Sequence, residues 1–176
     1  GDLQENLQLI SALGYTGAEL AIRDPRLVDW EALEQKVRLL KLSVPAIGTG
    51  QAWGEEGLSF TDPDPATRRL AIERILSHLP AARRLGALVI IGLIRGIVKP
   101  GVEHLQAMDW LVEALQECCQ AARGMGVKLA LEPINRYETT LINSAAQVLD
   151  LIQRVGADNF GLLLDTFHMN IEEAGI

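Results

Sequence analysis

The feature that most constrains the fold is an alternation of apolar, strand-like runs with segments of helical periodicity along the whole chain. Helical spacing of apolar residues fills the intervals between the runs, and a helix precedes the first of them. The predicted strands cover residues 17–22, 42–48, 87–91, 128–132 and 160–165. This alternation predicts successive βαβ units and a parallel sheet, either open and doubly wound or closed into an eight-stranded barrel.

Capping residues predict where several helices begin and end. Asp29 is an N-cap candidate, and Asp64 followed by Pro65 predicts a helix that runs to Leu85 and ends at Gly86. Residues 49–62 are polar and rich in glycine, which predicts a long loop of the kind that is usually functional or mobile.

Two observations favour the barrel over the open sheet. No Gly-x-Gly-x-x-Gly follows the first strand, so the dinucleotide-binding fold loses support. Acidic residues end more than one strand, as barrel enzymes require at their active face. A complete barrel takes about 250 residues, however, and only five strands are predicted. We therefore expect one domain over residues 1–176, a partial (β/α)₈ TIM barrel.

Composition excludes several partners. The formal net charge of −7 disfavours nucleic acid and anionic membranes, because both attract a basic surface. The longest apolar stretch, residues 85–94, is about half of what a bilayer span requires. Cys118 and Cys119 are adjacent and cannot join distant segments, so we expect reduced, partly buried thiols in a cytoplasmic protein.

Two predicted strands end at carboxylates, Glu132 and Asp165. If these strands are parallel neighbours, their backbones lie roughly 5 Å apart. Both carboxylates then reach one divalent cation at about 2.0–2.6 Å. The sequence therefore predicts a metal site at this edge of the sheet.

The stretches Glu132-Pro-Ile-Asn-Arg-Tyr-Glu138 and Asp165-Thr-Phe-His168-Met-Asn170 also carry a family resemblance. They resemble the xylose-isomerase-like TIM-barrel sugar (phosphate) isomerase/epimerase superfamily, in particular its D-tagatose 3-epimerase and hydroxypyruvate isomerase branch. Weaker likeness extends to Gly14-Tyr-x-Gly17-x-Glu19. The resemblance implies a (β/α)₈ barrel that binds one divalent metal ion, commonly Mn²⁺, Mg²⁺, Co²⁺ or Zn²⁺. It also implies that residues 1–176 supply about strands 2 to 6, with the first strand and the last two strands outside the chain.

The resemblance also implies residue roles. Glu132 matches the first metal ligand, which is also a catalytic carboxylate, and Asp165 matches the second ligand. Glu138 and His168 match the pair that binds the carbonyl end of the substrate. A third ligand, a His, and a fourth, a Glu that is the second acid/base, are expected beyond Ile176. The implied substrate is a small sugar or sugar-like molecule, and a homodimer or homotetramer is compatible with the family.

The implied reaction isomerises or epimerises a small ketose, a hydroxy-keto acid or a sugar phosphate. It removes a proton from a carbon next to a carbonyl, and the enediolate that forms needs charge stabilisation. A carboxylate takes the proton, and return to the same or the opposite face decides between isomer and epimer.

Four further residues are weaker candidates for the pocket. Gln51 and Trp53 wall a sugar site or simply pack, and Glu19 lines the pocket or pairs at the rim. Arg95 either meets a substrate phosphate or, as most loop arginines do, faces water.

Two alternatives to the epimerase remain. An endonuclease-IV-like metal-dependent phosphodiesterase shares the barrel but needs many histidines and a basic groove. This chain has three histidines, and His78 and His104 lie on predicted helices away from the strand ends, packed or solvated. The other alternative is an inactive partial barrel, since a chain ending at Ile176 holds two of four expected ligands and leaves a sheet edge unpaired.

Overall fold

The structure, a computed structural model, describes residues 3–175. Within this range five short strands form one sheet, in which chain order and spatial order are the same and every neighbouring pair is parallel. The strands are β1 (Leu20–Ala21), β2 (Ala46–Gly48), β3 (Leu88–Ile91), β4 (Leu129–Leu131) and β5 (Phe160–Leu162). Sequential parallel order is what consecutive βα units of a barrel produce. The predicted TIM-barrel-like α/β fold is therefore confirmed, as a partial barrel.

Seven α-helices accompany the strands in the described range. They are α1 (Leu3–Ala12), α2 (Trp30–Leu39), α3 (Gln51–Glu56), α4 (Pro65–Leu85), α5 (His104–Gly124), α6 (Ala145–Val155) and α7 (Thr166–Glu172). The predicted caps are present: Asp29 accepts from the Ala32 N–H and Asp64 from the Ala66 N–H. Gly86 ends α4 at φ +68°, a left-handed conformation that favours glycine.

The core lies between the sheet and the two long helices, α4 and α5. Strand β4 is buried along its whole length, as expected for a parallel strand covered on both faces. From α5, Leu111 and Leu115 are fully buried, and each contributes about 1.5–3 kcal/mol by leaving water. Helix α4 packs against β2 and β3, and β5, at the edge of the described sheet, packs against α6.

The register of the sheet brings the loops of three strands to one edge. Leu131 lies opposite Ile91 on one side and opposite Leu162 on the other. The residues that follow these three positions therefore begin their loops at the same level. Glu132 is the first residue of one of them.

The structure corrects four boundaries predicted from the sequence, and one of them is the start of β2, at Ala46 rather than at residue 42. The predicted loop 49–62 contains helix α3, which ends at Gly57 with φ +69°. The predicted strand 17–22 is a two-residue ladder plus one bridge between Gly17 and Ser43. Strand β5 ends at Leu162 rather than at Asp165, which instead caps α7.

The two cysteines are unpaired and fully buried rather than partly buried. Burial raises the pKa of both thiols, that of Cys119 to about 11, so neither is a reactive thiolate near neutral pH. Among residues 3–175, no helix combines the length and the apolar character that crossing a bilayer requires.

Candidate active site

Glu132 follows β4 directly, and its backbone is held from the β3 side. Its N–H donates to the Ile91 carbonyl at 3.2 Å, which extends the ladder by one bond. Its own carbonyl accepts from the Arg95 guanidinium. With the backbone fixed in this way, the carboxylate points into a cleft and keeps 18% of its side chain exposed.

Asp165 reaches the same place through a helix start. Its Oδ1 accepts from the Phe167 N–H at 2.7 Å, so Asp165 is the N-cap of α7. Aspartate is among the preferred N-cap residues, which explains why α7 begins here. The cap fixes the carboxylate beside Glu132.

His168 is on the first turn of α7 and is 9% exposed. Its Nε2 lies 3.9 Å from Oε1 of Glu132. One ligand atom from each of Glu132, Asp165 and His168 lies within 4.8 Å of the other two. The structure thus brings the two predicted metal ligands together and adds to them the histidine that was predicted to bind substrate.

Glu138 lies in the loop after β4 and lines the same cleft, which has a volume of about 280 Å³. Its Oε1 accepts from Nδ2 of Asn135 at 2.7 Å. All four predicted site residues therefore gather at the carboxyl-terminal edge of the sheet. A second cavity of about 340 Å³ lies at the opposite edge between Pro45, Arg83 and Lys128, and no carboxylate from the described residues lines it.

The acids of the cleft disfavour one another's charge. Burial raises the pKa of Glu132, and the neighbouring Asp165 raises it further, while His168 and Arg95 act in the opposite direction. The pKa of Glu19 is raised too, by burial and then by Asp165. Close, partly buried carboxylates of this kind are stabilised by a cation between them. Two carboxylates and an imidazole are also a donor set that divalent transition metals accept.

Arg95 neither faces water nor meets the cleft. It is fully buried, and apart from the bond to the Glu132 carbonyl its Nε and Nη2 have no hydrogen-bond partner among the described residues. Burial lowers the pKa of Arg95 to about 10, against the opposing effect of the Glu132 and Glu138 charges. Its guanidinium is a positive charge behind Glu132, which the position of Arg95 in a loop did not predict.

Only some of the weaker candidates for the pocket lie at the cleft. Gln51 and Glu19 line the cleft, whereas Trp53, on α3, is not among its lining residues in the described range. His78 is fully buried between the carbonyls of Ile22 and Arg74, which confirms its packed interpretation.

One residue that contacts two of the predicted site residues was not itself predicted. Asn135 is 2% exposed and contacts both Glu138 and His168. Its only signal was its place between two predicted site acids in the chain, and polar loop residues with that placement are common.

Comparisons with known proteins agree with this geometry. The profile of the family described as Xylose isomerase-like TIM barrel matches residues 7–175. An L-ribulose 3-epimerase of Mesorhizobium japonicum is 34% identical over 177 residues, which cover 99% of this chain and 58% of that protein. A probable ketose 3-epimerase of Synechocystis sp. is 48% identical over 127 residues, covering 68% of this chain and 43% of that protein.

Among solved structures, D-psicose 3-epimerase with D-tagatose from Clostridium cellulolyticum H10 superposes with a TM-score of 0.86 at 26% identity. It covers 100% of this chain, which spans 62% of its length. The chain thus spans less than two thirds of each of these relatives. With a profile match over nearly all of its residues, the chain belongs to the Xylose isomerase-like TIM barrel family.

Proposed function

We propose that the protein is a divalent-metal-dependent 3-epimerase of small ketoses. The observation that carries the proposal is the convergence of Glu132, Asp165 and His168 within 4.8 Å at the carboxyl-terminal edge of the sheet, where Glu132 and His168 line the cleft. That edge is where TIM-barrel enzymes carry their chemistry. The ketose 3-epimerases among its relatives point to the substrate class.

Glu132 is the proposed base. Its carboxylate takes the proton from the substrate carbon next to the carbonyl, and the electron pair of the broken C–H bond passes into an enediolate. A group outside the described residues delivers a different proton to the opposite face, which gives the epimer, and Glu132 keeps the proton that it removed until solvent exchange.

Glu138 and His168 are the proposed substrate-binding residues. Both line the cleft beside Glu132, and His168 Nε2 lies 3.9 Å from the Glu132 carboxylate. A carboxylate accepts hydrogen bonds from sugar hydroxyls, and an imidazole N–H donates one to a sugar oxygen. Together they orient the carbonyl end of the ketose over Glu132.

Glu132 and Asp165 are the proposed metal ligands, and Mn²⁺, Mg²⁺, Co²⁺ and Zn²⁺ are the candidate ions. When bound, such an ion supplies Lewis-acid stabilisation of the negative charge that develops on the substrate oxygens. A third and a fourth ligand are expected from the family resemblance. The phosphodiesterase alternative has less support, because the cluster holds one histidine and the protein is acidic.

The test is a solvent-exchange assay. The full-length protein that contains residues 1–176 is supplied with each of the four ions in turn and incubated in D₂O with D-psicose, D-fructose, D-tagatose or L-ribulose. Deuterium at C3 and the appearance of the 3-epimer, both followed by NMR, support the proposal. Protein that binds the ion and exchanges no C3 proton in any of these ketoses contradicts it.

We further propose that the described strands are strands 2 to 6 of a single barrel domain. A polypeptide of residues 1–176 alone then has little activity, because it supplies half of the expected ligands. Robust turnover by purified material of 19.2 kDa would refute this. Light scattering on the same sample tests the expected homodimer or homotetramer.

A further inference from the structure

The side chain of Asn135 lies buried between the two proposed substrate-binding residues. Its Nδ2 donates to Oε1 of Glu138 at 2.7 Å and is 2.8 Å from Nδ1 of His168. An amide nitrogen carries two hydrogens, so Asn135 can serve both neighbours at once. The question is which way round the amide sits, because only its nitrogen can donate.

Two independent contacts fix the orientation of this amide. The Tyr137 N–H donates to Oδ1 of Asn135 at 3.0 Å, and the Glu138 carboxylate accepts from Nδ2. Exchanging the two ends would place the amide oxygen against a carboxylate and the NH₂ against an N–H. Both contacts would then be repulsive, so the nitrogen faces His168.

The orientation of Asn135 determines where His168 carries its proton. Nδ1 of the imidazole faces the Asn135 NH₂ and, at 3.5 Å, the Asn135 backbone N–H, so it is an acceptor. A neutral imidazole with an accepting Nδ1 has its hydrogen on Nε2. That nitrogen is the one 3.9 Å from the Glu132 carboxylate.

We propose that Asn135 is a positioning residue that holds His168 in the Nε2–H tautomer and at the same time orients Glu138. His168 is then a hydrogen-bond donor at Nε2, with no lone pair there for a metal. Of the three residues that converge on the site, the two carboxylates remain as ligands, and the histidine is left for the substrate. The role toward substrate rests on the proposed function, whereas the tautomer does not.

The direct test is NMR of the full, metal-free protein labelled with ¹⁵N-histidine, in alkaline buffer that keeps the imidazoles neutral. Long-range ¹H–¹⁵N correlation separates a protonated from a bare ring nitrogen, and H168Q assigns the His168 signals. We expect the bare-nitrogen shift at Nδ1 and the protonated shift at Nε2. A His168 with its proton on Nδ1, or with both tautomers equally populated, overturns the inference.

The variant N135D tests whether Asn135 is the cause. A carboxylate accepts and cannot donate, so we expect the His168 proton to move to Nδ1. N143D is the matched control, because Asn143 donates to the carbonyls of Ile134 and Thr139 in the same loop and does not contact His168. N143D retains the Nε2–H tautomer. If N143D moves the proton as well, or N135D leaves it on Nε2, Asn135 does not set the tautomer.

Activity separates this inference from the proposed function. In an active epimerase, N135D lowers kcat/KM by roughly ten- to a hundredfold, as loss of an outer-shell partner does. If the wild-type spectrum shows the expected tautomer, N135D shifts it and no ketose is turned over, the positioning role stands and the proposed function fails. If ketoses are epimerised and the spectrum shows Nδ1–H, the proposed function stands and this inference fails.

Discussion

Two buried arginines, Arg74 and Arg95, are held in opposite ways. Arg74, which is 5% exposed, makes a two-bond pair with the Glu56 carboxylate at 2.7 Å, bonds the Arg23 carbonyl and lies 3.6 Å from Asp24. Arg95, which is fully buried, bonds one carbonyl and leaves two of its nitrogens unpartnered within the described residues. The pKa of Arg74 is raised, chiefly by its hydrogen bonds to Glu56, and that of Arg95 is lowered by burial.

The pKa values of the acids beside the two arginines also shift in opposite directions. The pKa of Glu56 is lowered by its hydrogen bonds to Arg74, whereas that of Glu132 is raised by burial. The Arg74 network is a satisfied ion pair that joins α3 to α4. The Arg95 region keeps its acids unpaired and directed at the cleft, which costs stability and leaves them free to bind a ligand.

The largest effect that we expect is a loss of activity on substitution of Glu132 but not of Glu56. E132Q removes the proposed base and lowers kcat/KM on the ketose substrate by roughly 10²- to 10⁴-fold. The melting temperature of the metal-free protein stays the same or rises, because a buried charge is removed. E56Q, the matched control, breaks the pair with Arg74, lowers the melting temperature and retains activity. Activity assays and thermal unfolding of both variants check this, and a large loss of stability in E132Q contradicts it.

The next effect compares the arginines themselves. R74M removes the buried guanidinium that bonds the Glu56 carboxylate and the Arg23 carbonyl, and it costs about 3 kcal/mol of unfolding free energy. R95M removes two unpartnered nitrogens along with one bond, so its unfolding free energy stays within about 1 kcal/mol of wild type. R95M lowers kcat/KM about tenfold, because the positive charge behind Glu132 is lost. Urea unfolding measures the unfolding free energy of both variants, and a ketose assay measures kcat/KM of R95M. Equal destabilisation by R74M and R95M would contradict the distinction between the two arginines.

Two aspartates that cap helical turns sharpen the comparison further. Asp165 caps α7, and Asp24 caps the 3₁₀ turn Pro25–Leu27 while pairing with Arg26 and Arg74. Asparagine is as good a cap as aspartate, so D165N keeps the stability of the fold. It weakens Mn²⁺ binding, measured by calorimetry, by at least about tenfold. D24N keeps Mn²⁺ binding and lowers stability. A D24N protein that loses Mn²⁺ affinity, or a D165N protein that loses only stability, would contradict this prediction.

The smallest expected effect is in the pH dependence of stability. The folded-state pKa of Glu132 lies above 4.5, so its ionisation destabilises the fold, and this cost is relieved as pH falls through that raised pKa. The folded-state pKa of Glu56 lies below 4.5, so its contribution is present above 4.5 and is lost as pH falls through the lowered pKa. Differences in melting temperature between wild type and each glutamine variant, measured in metal-free protein against pH, should therefore change with opposite signs. Parallel curves would contradict this.

Much of the scaffold was predictable from short-range signals. Asp64, Pro65 and Gly86 mark both ends of α4, since a cap and a left-handed glycine act on residues within one turn. The apolar runs gave five parallel strands, although all five are shorter than predicted, β1, β2 and β5 most of all. The convergence of Glu132 and Asp165 followed from parallel pairing of the last two strands.

The rest depends on contacts between residues far apart in the chain. Arg95 meets the carbonyl of a residue 37 positions away, and Asn135 meets His168 across 33 positions. Neither position differs locally from an ordinary loop arginine or asparagine. Helix α7 was missed because Asp165 was assigned to the end of a strand, whereas its side chain caps a helix.

The sequence by itself determined the order of strands and helices and the two acids at one edge of the sheet, because apolar periodicity and capping are local. Only the tertiary structure decided which charges are satisfied and which stay unpaired, since burial and hydrogen bonding depend on what packs against each side chain. It thereby distinguished Arg74, which stabilises the fold, from Arg95, which lies behind the site. For the same reason it alone placed Asn135 between Glu138 and His168.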